Sequence, residues 1–450
     1  MGTINRLGVI DRGESAVRVL NAVVGLNHTD GGAPIATVLF TPDPGAQPWY
    51  GREADEVVRL TGFDGRPRPD EVVAALQRAQ VDTVWLGDCP TPRTELIEAC
   101  ELGGIGVVGP TADVVRALAE RTRLADLAAQ CGLALDSGPA PGRRMVEVDV
   151  LADHTGAVWA LENRDVTVAH DGQVMVAESP SPATDPALAA TLADASRRLM
   201  TAAGYRGAGV VRFSIMGGSV ALVGVDTVAR PEHATTEERT GTSIIAWRLR
   251  IHRGDQLPAT EPTGDGVTVE ARVVARDPSA GCAPSGGRIA LLSFPVGTGV
   301  RIDANRRVGD HVESSDLLVA VVTAWGPDPT TARLRLRRAL GRTAIVIEGG
   351  ATNRAFLLDV LDRDELAEGS VDDEWLQRLL DAGDPTEPDP VVLLAAAVEA
   401  YEADRALAQQ AFYAAAGRGR PEQPEDLGAK IELGYAERAY RTAGRSHRTS

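Results

Sequence analysis

The chain has 450 residues, which is long enough for two or three domains with separate hydrophobic cores. Its formal charge of −17, from 46 basic and 63 acidic side chains, argues against nucleic acid or an anionic membrane surface as its main partner. No apolar run is long enough to span a bilayer, and the start, "MGTINRLGVIDRG", lacks the basic and apolar regions of a signal peptide. We therefore expect a cytoplasmic protein.

Cysteine and lysine usage limits the available chemistry. The cysteines include no C-x-x-C pair, which argues against a zinc or redox motif and favours reduced thiols. Lys430 is the only lysine, so any mechanism that needs a lysine ahead of the C-terminal tail is excluded. The cysteines are Cys89, Cys100, Cys131 and Cys282.

The first third of the chain alternates short apolar strands with apolar-periodic helices. Glycine and proline turns separate them, which predicts a parallel, doubly wound α/β sheet over residues 1–135. The predicted strands are "LGVI", "APIATVLFT", "DTVWLG" and "IGVVGP". The predicted helices are "AVRVLNAVVGL", "RTELIEACELGG" and, as one long helix or a pair, "TADVVRALAERTRLADLAAQCG".

After the turn-rich "LDSGPAPGRR" the pattern changes to period-two alternation. "MVEVDVLADHTGAVWALENRDVTVAHDGQVMVAESP" predicts antiparallel hairpins, and a helix follows in "PALAATLADASRRLMTAAGY". Further strands and helices extend this α+β region over residues 143–375. In the tail, "VVLLAAAVEAYEADRALAQQAFYAAAG" predicts a helix and "AKIELGYAERAYR" predicts one or two strands.

One stretch, "ALVGVDTVARPEHATTEERTGTSII" at residues 221–245, has the composition of a working site. It predicts a buried strand, then a loop crowded with acidic and imidazole side chains, then a helix. Loops of this kind often carry metal or phosphate chemistry. The side chains in question are those of Asp226, Glu232, His233, Glu237 and Glu238.

An ordered set of short segments runs through residues 1 to about 375. The segments are "VIDRGESAVRVL", "READEVVRL", "GIGVVGPTADVVRAL", "VEVDVLADHTGAVWALENRD", "GYRGAGVVRF", "PEHATTEERTG", "VEARVVARDPSAGCAPSGGRI", "PVGTGVRID" and "EGGATNRAFL". Together they resemble the biotin carboxylase family, the ATP-grasp subunit of acyl-CoA, pyruvate and related carboxylases. The tail resembles the region that follows this module in fused actinobacterial acyl-CoA carboxylase chains.

The resemblance implies a module that uses ATP and bicarbonate to form carboxyphosphate and then carboxylates biotin on a carrier. It also implies an N-domain with a parallel sheet, a mobile ATP-grasp lid and a C-terminal barrel-like domain. We therefore assign 1–135 to the N-terminal-like domain, 143–260 to a remnant ATP-grasp core and 261–375 to the C-terminal-like domain. We expect residues 385–450 to form a helical linker and a short β tail.

The ATP-binding positions of the family are altered. Where the family has a phosphate-binding lysine, "RALAERTRL" places Arg121, which either binds phosphate or is a solvated helix charge. The family then has a glycine-rich loop and further lysines, but only "ADLAAQCGLALDSGPAPGRRM" separates this helix from the next strand. We therefore expect the ATP-grasp lid to be deleted, which would expose the site to water.

The anion-binding positions are altered in the same way. The family has glutamine, histidine and lysine after its "RD" motif, whereas "RDVTVAHDGQVMVAE" places Ala169, Gly172 and Val174 there. Their side chains cannot donate a hydrogen bond to bicarbonate or phosphate. His170 lies nearby but out of register, and we expect it on the hairpin surface.

The resemblance also locates the magnesium ligands, two glutamates on neighbouring strands. Here Arg212 occupies the first position and Gly224 the second, so we expect no metal site. The following polar positions hold Asp226, Val228 and Arg230, where Val228 replaces a family arginine.

Two family positions are retained. Glu232 matches the general base that acts on bicarbonate, and Arg301 matches the arginine that steadies the biotin enolate. The alternative is that Glu232 and Arg301 form a structural ion pair, which we favour because a base without an activated substrate cannot turn over. Lys430 lies in "GAKIEL", which is not a biotinylation motif, so this chain has no biotin attachment site of its own.

Three functions follow from this pattern. The first is a catalytically inactive component, structural or regulatory, of an acyl-CoA carboxylase-type complex, without a cofactor. Its partners would be a second copy in a homodimer, or carboxyltransferase and biotin-carrier subunits. The second is an active biotin carboxylase that uses Mg-ATP, Arg121 and a partner's lid. The third is a small-molecule sensor in which Arg12, Arg212 and Arg230 line the remnant cleft.

Overall fold

A computed structural model describes residues 3–41, 48–60, 68–87, 93–314 and 316–382, with a few positions between 398 and 409. The chain divides into two compact units, Met1–Asp384 and Pro385–Ser450. The predicted tail strands, Cys89 and Lys430 lie outside the described residues, and the few described tail positions are helical. None of the described helices combines the length and apolar character that a membrane crossing needs.

The first sheet is parallel and doubly wound, as the alternating pattern predicts. Its strands are β1 (Arg6–Ile10), β2 (Ala36–Thr41), β3 (Glu56–Arg59), β4 (Thr83–Leu86) and β5 (Gly106–Val107). Its helices are α1 (Gly13–Thr29), α2 (Pro69–Arg78) and α3 (Arg93–Leu102). The strand order is β3-β2-β1-β4-β5, so the direction of winding reverses between β1 and β4. β3 and α2 are elements that the sequence pattern did not predict.

The long helical stretch after β5 is a pair of helices. They are α4 (Ala112–Ala119) and α5 (Arg121–Gln130), separated at Glu120, whose ψ of 116° is extended. Leu118, Leu124 and Ala128 of this pair pack with strand residues further along the chain. Ala112 and Val115 of α4 pack in the core of the first sheet, so the helix pair contributes to both cores.

The remaining strands belong mainly to one large mixed sheet. They are β6 (Ala134–Leu135), β7 (Arg144–Ala152), β8 (Val158–His170), β9 (Gln173–Ser179), β10 (Gly207–Met216), β11 (Ser219–Asp226), β12 (Val267–Val274), β13 (Arg276–Asp277), β14 (Ala283–Pro284), β15 (Gly287–Ser293), β16 (Val300–Ala304), β17 (His311–Val312), β18 (Leu318–Gly326) and β19 (Ala344–Glu348). Nine of them pair in the order β16-β18-β12-β9-β8-β7-β10-β11-β6. Only β11 and β6 are parallel. The predicted antiparallel region is confirmed, and its sheet draws strands from both 143–260 and 261–375.

Helices cover this sheet and close the C-terminal region. They are α6 (Pro186–Ala202), α7 (His233–Thr240), α8 (Ile244–Arg253), α9 (Pro329–Arg342), α10 (Arg354–Asp362), α11 (Asp364–Ala367) and α12 (Trp375–Asp381). A large apolar cluster forms where α9, α10 and α12 pack near β12 and β18, with Val269, Val322, Leu336, Leu357 and Leu376 at its centre. A smaller sheet, β17-β15-β19, lies beside it.

The segment expected to carry an ATP-grasp lid is short. Between α5 and β7, residues 131–143 contain only the two-residue strand β6. Ser214 donates to Asp136 Oδ1 at 2.6 Å, and Arg143 Nε lies 2.8 Å from Asp373 Oδ2, so this segment is tied to the body of the protein. No lid subdomain is inserted at this point of the described chain, as the sequence predicts.

The stretch 221–245 differs from its prediction. β11 ends at Asp226, and only residues 227–232 connect it to α7. Glu237 and Glu238 therefore lie in a helix and not in a loop. Helix α7 ends at Gly241, whose φ of 64° is left-handed and favours glycine.

Arg248 of α8 connects the second sheet to the first. Its guanidinium lies 4.8 Å from the centre of the Trp85 ring, and its Nη2 donates to the Val108 carbonyl at 3.2 Å. Burial lowers the pKa of Arg248 to about 10. Because the guanidinium occupies this space, the backbone beside it at Gly109 must stay free of a side chain.

We expect Gly109→Ala to lower the free energy of unfolding by about 2 kcal/mol. Gly109 has a φ of +132°, and an added Cβ would lie 2.5 Å from Arg248 Nη2. Gly138→Ala is the matched control, because Gly138 has a similar φ of +114° but an added Cβ would meet nothing within 4 Å. Urea denaturation of both variants isolates the contact, and equal losses would contradict the role of Arg248.

Candidate functional site

A cleft of about 440 Å³ lies at the carboxyl ends of β1 and β4. In open α/β sheets, the crevice at the switch point between two such strands is the usual place for a ligand. Its other wall is the connection from β11 to α7. The lining is electrically balanced, with Arg12, Arg93, Arg230 and Arg272 among Asp11, Glu14, Asp226 and Asp316.

The two positions that match the magnesium ligands face each other. Arg212 on β10 and Gly224 on β11 are direct partners in the antiparallel register. Arg212 donates from Nε at 2.9 Å and from Nη2 at 2.7 Å to Glu147 Oε1. The described residues contain no group of three or more His, Cys, Asp or Glu side chains placed to hold a metal. A cation and a bare backbone do not fit a magnesium ion.

Arg230 is held by acids at the edge of the cleft. Its Nη1 lies 3.0 Å from Asp226 Oδ2, and its Nε lies 3.6 Å from Glu232 Oε2. Beside it, Val228 contributes an apolar surface to the lining. The positive charge of Arg230 is therefore already neutralised within the chain, which weakens its attraction for a bound anion.

Glu232 is completely buried behind this wall. It forms an ion pair with Arg272, and Arg230 lies on its other side. Burial alone would raise the pKa of Glu232, but the positive charges of Arg272, Arg230 and Arg164 hold it well below its usual range. A carboxylate with so low a pKa is a weak general base at neutral pH.

Arg301 lies in a different environment from Glu232. Its Nη1 is 3.0 Å from Glu237 Oε2, and its Nε is 2.8 Å from Asp303 Oδ2. It lines a second cavity, of about 620 Å³, together with residues of α1, α7 and α8. The predicted structural ion pair between Glu232 and Arg301 is therefore wrong, because each has its own partners.

Arg121 lies away from the cleft. It is exposed at the start of α5, and its Nη2 donates to the Asp136 carbonyl at 3.0 Å. It is not among the described residues that line the cleft. Of the two roles predicted for it, this geometry favours the surface charge over a phosphate contact.

The altered anion positions lie on the β8–β9 hairpin. Ala169 pairs with Val174, and the turn between them has Asp171 and Gly172 at φ of 50° and 72°. Gly172 thus serves the turn. The prediction that His170 lies on the hairpin surface is wrong, because only 9% of its side chain is exposed. Its Nε2 lies 3.4 Å from Asp171 Oδ2.

A buried charged network that the sequence pattern did not predict lies beneath the cleft. Arg164 donates to Glu147 at 2.9 Å and to Asp149 at 2.5 Å. His233 Nδ1 lies 2.9 Å from Asp149 Oδ1. Glu147 and Asp149 are two positions apart on β7, and Glu147 pairs in register with Arg164 on β8. Two acids at this spacing opposite an arginine were the signal in the sequence.

Of the three arginines expected to converge in the cleft, two do. Arg12 and Arg230 belong to its lining, whereas Arg212 is bound to Glu147. The cleft is thus a polar cavity of mixed charge, in which the described arginines are matched by an equal number of acids.

Three family models together match most of residues 3–378 of the 450-residue chain. They describe the N-terminal domain of biotin carboxylase (residues 3–115), the ATP-binding domain of the carbamoyl-phosphate synthase L chain (102–260) and the C-terminal domain of biotin carboxylase (270–378). The chain belongs to the biotin carboxylase family.

Curated relatives agree with this assignment. The chain is 31% identical over 240 residues to a biotin carboxylase of Nostoc sp., which covers 52% of this chain and 53% of the relative. It is 34% identical over 239 residues to the mitochondrial methylcrotonoyl-CoA carboxylase subunit alpha of Rattus norvegicus, covering 52% and 33%. The chain thus spans between a third and about half of the length of these relatives.

Solved structures share the fold. A complete pyruvate carboxylase from Rhizobium etli has a TM-score of 0.79 at 25% identity, covering 88% of this chain and 42% of that chain. The biotin carboxylase domain of Hydrogenobacter thermophilus 2-oxoglutarate carboxylase has a TM-score of 0.77 at 21% identity, covering 86% and 100%. The second similarity concerns the fold alone.

Proposed function

We propose that this chain is a catalytically inactive biotin carboxylase-like protein that serves as a structural or regulatory component of an acyl-CoA carboxylase-type complex. The observation that carries the proposal is the cross-strand pair of Arg212 and Gly224. If the family's two metal-binding glutamates occupied these positions, their carboxylates would face one another. A guanidinium bound to Glu147 and a glycine cannot replace them.

The surroundings of the retained base support the same proposal. Glu232 is buried, paired with Arg272 and held at a low pKa, so its charge supports the fold more readily than it accepts a proton. The missing lid removes the cover that would exclude water from a phosphate-transfer site. Selective loss of the chemical groups within an intact fold is the pattern expected when a scaffold is kept for binding.

The first test is isothermal titration of the full chain with Mg-ATP, together with a bicarbonate-dependent ATP hydrolysis assay. We expect neither binding at micromolar concentrations nor hydrolysis above background, because Arg212 and Gly224 occupy the positions that match the metal ligands and the described residues form no metal-binding group of three or more His, Cys, Asp or Glu side chains. An active biotin carboxylase serves as the positive control. Hydrolysis that disappears in Glu232→Ala would instead support an active enzyme completed by a partner chain.

The proposed partners follow from the relatives, three of which are named as carboxylase subunits. We propose that this chain associates with itself or with carboxyltransferase and biotin-carrier chains. Affinity purification from the native cell would test this, with mass spectrometry of the bound proteins and light scattering of the isolated chain. A monomer that recovers no carboxylase subunit would contradict the assembly role.

A sensor function is the second candidate, because a cavity of about 440 Å³ persists at the switch point and contains Arg12 and Arg230. A thermal-shift screen of nucleotides and small carboxylates addresses it directly. A stabilising ligand whose effect is lost in Arg230→Ala would favour the sensor over a purely structural role.

A further inference from the structure

A groove lined by arginines lies on the C-terminal region, away from the cleft. It has a volume of about 320 Å³ and lies between helix α9 and the loop that joins β15 to β16. We call it the α9 groove. All charged residues in its lining are arginines, although the chain as a whole carries a formal charge of −17. The lining includes Pro295, Val296, Arg335, Arg338, Ala339 and Arg342.

The three arginines lie on one side of α9. Arg335, Arg338 and Arg342 are spaced by three and four residues, which places them one turn apart on a helix. Ala339, which lies between them in the groove, is buried. The helix therefore presents a row of guanidinium groups along the edge of its packed face.

The other arginines of α9 already have acidic partners. Arg333 donates to Glu178 at 2.7 Å, and Arg337 donates to Asp362 at 2.6 Å. By contrast, Arg338 and Arg342 form no ion pair or side-chain hydrogen bond within the described part of the chain. These two guanidinium groups are thus open to an external anion.

Arg335 provides a fixed end to the row. Its Nη1 donates to the Trp325 carbonyl at 2.7 Å, and its guanidinium lies 5.6 Å from the centre of the Trp325 ring. Like charges one turn apart repel one another, so an anion between them would relieve this repulsion. Guanidinium groups also match the geometry of carboxylates, which accept two parallel hydrogen bonds.

The opposite wall of the groove is apolar and open. Val296 is completely exposed and follows Pro295 at the tip of the loop. A small inorganic anion would leave this apolar wall uncovered. A peptide that alternates acidic and apolar side chains would cover the wall and neutralise the arginines together.

We propose that the α9 groove binds an acidic segment of a partner protein, with carboxylates on Arg338 and Arg342 and an apolar side chain on Val296. The binding does not depend on the nucleotide chemistry of the cleft. If the peptide does not bind, the proposal of catalytic inactivity still stands. If Mg-ATP binds in the cleft, the proposal for the α9 groove still stands.

The test uses the full chain and a fluorescent synthetic peptide of alternating glutamate and leucine residues, with fluorescence anisotropy at low salt as the measurement. We expect the peptide to bind, and Arg338→Glu/Arg342→Glu to weaken binding by about tenfold or more. Val296→Ser should weaken it by a smaller factor. A peptide with glutamine in place of glutamate should bind more weakly than the glutamate peptide, and added salt should reduce binding of the latter.

Arg206→Glu is the matched control, since Arg206 is exposed and the charge change per site is the same. The Arg338→Gln/Arg342→Gln variant repeats the test if the charge reversal lowers the melting temperature. Equal binding by the wild type and both double variants would overturn the proposal. Displacement of the peptide by an equal concentration of inorganic phosphate would also overturn it, in favour of a site for small anions.

Discussion

Replacing Arg164 with methionine is expected to lower the free energy of unfolding by about 3–5 kcal/mol, because it removes the central cation of a buried network. Arg164 is completely buried and donates to both Glu147 and Asp149. It also donates to the Glu232 carbonyl at 3.3 Å. Methionine fills similar space but leaves two carboxylates with fewer charged partners in a medium that solvates them poorly.

Urea denaturation followed by circular dichroism measures this loss. Arg337→Met is the control, because the Arg337–Asp362 pair is about half exposed and should contribute less than about 1 kcal/mol. Arg164→Lys keeps the charge without the planar fork and should fall between the two. If Arg164→Met is no less stable than Arg337→Met, the network does not hold the fold together.

The stability that Arg164→Met loses relative to the wild type should depend on pH. Burial raises the pKa of Asp149, but Arg164 and His233 lower it further, so the net pKa lies below its usual range. In the wild type this contributes stability above the ordinary pKa of an aspartate, and that stability is lost as the pH falls. Without Arg164 the native pKa rises, so the difference between variant and wild type should shrink in acid.

The parts of the fold that were predicted correctly are those that local sequence patterns determine. The hairpin of β8 and β9 follows from alternation around a turn at Asp171 and Gly172, both with positive φ. The first sheet follows in the same way from strands separated by helices. Two facts depend on contacts between residues far apart in sequence. These are the parallel pairing of β6 with β11, and the joining of two chain segments into one nine-stranded sheet. No local pattern contains them.

The candidate site was also predicted only in part. The sequence indicated which positions carry altered side chains, but it did not indicate their partners. Glu232 has Arg272, Arg230 and Arg164 nearby, and its choice of partner depends on where α7 and β12 meet. Arg301 forms an ion pair with Glu237, which lies in helix α7. The sequence predicted a loop at this position. With so many arginines and acids available, only the three-dimensional arrangement decides the pairing.

Glu270→Gln is expected to reduce the loss of stability that we expect of the wild type between pH 5 and pH 8. Glu270 of β12 is buried, and its Oε2 accepts a hydrogen bond from Thr323 at 3.2 Å. Burial, and then the negative charge of Glu232, raise the pKa of Glu270 from 4.5 to about 7. The native protein therefore keeps a proton on Glu270 at pH values where the unfolded chain has released it.

The sign of the effect follows from this difference. A raised native pKa contributes stability that is fully present below pH 4.5 and is lost as the pH rises through 7. A shift of this size corresponds to about 3 kcal/mol at most. Glutamine stays neutral and still offers a carbonyl to Thr323, so the variant should gain stability relative to the wild type at pH 8 and little at pH 5.

Chemical denaturation at the two pH values measures this gain, with the exposed Glu101→Gln as the control for the loss of one charge. Glu14 provides an internal check, because burial raises its pKa to about 7 against the opposing effect of Arg18. The double variant Glu14→Gln/Glu270→Gln should therefore depend on pH less than either single variant. If Glu270→Gln destabilises the protein equally at both pH values, then Glu270 is charged in the native state. Arg272 would in that case be shared between two carboxylates, and the retained Glu232 would be less firmly held as an anion than its burial indicates.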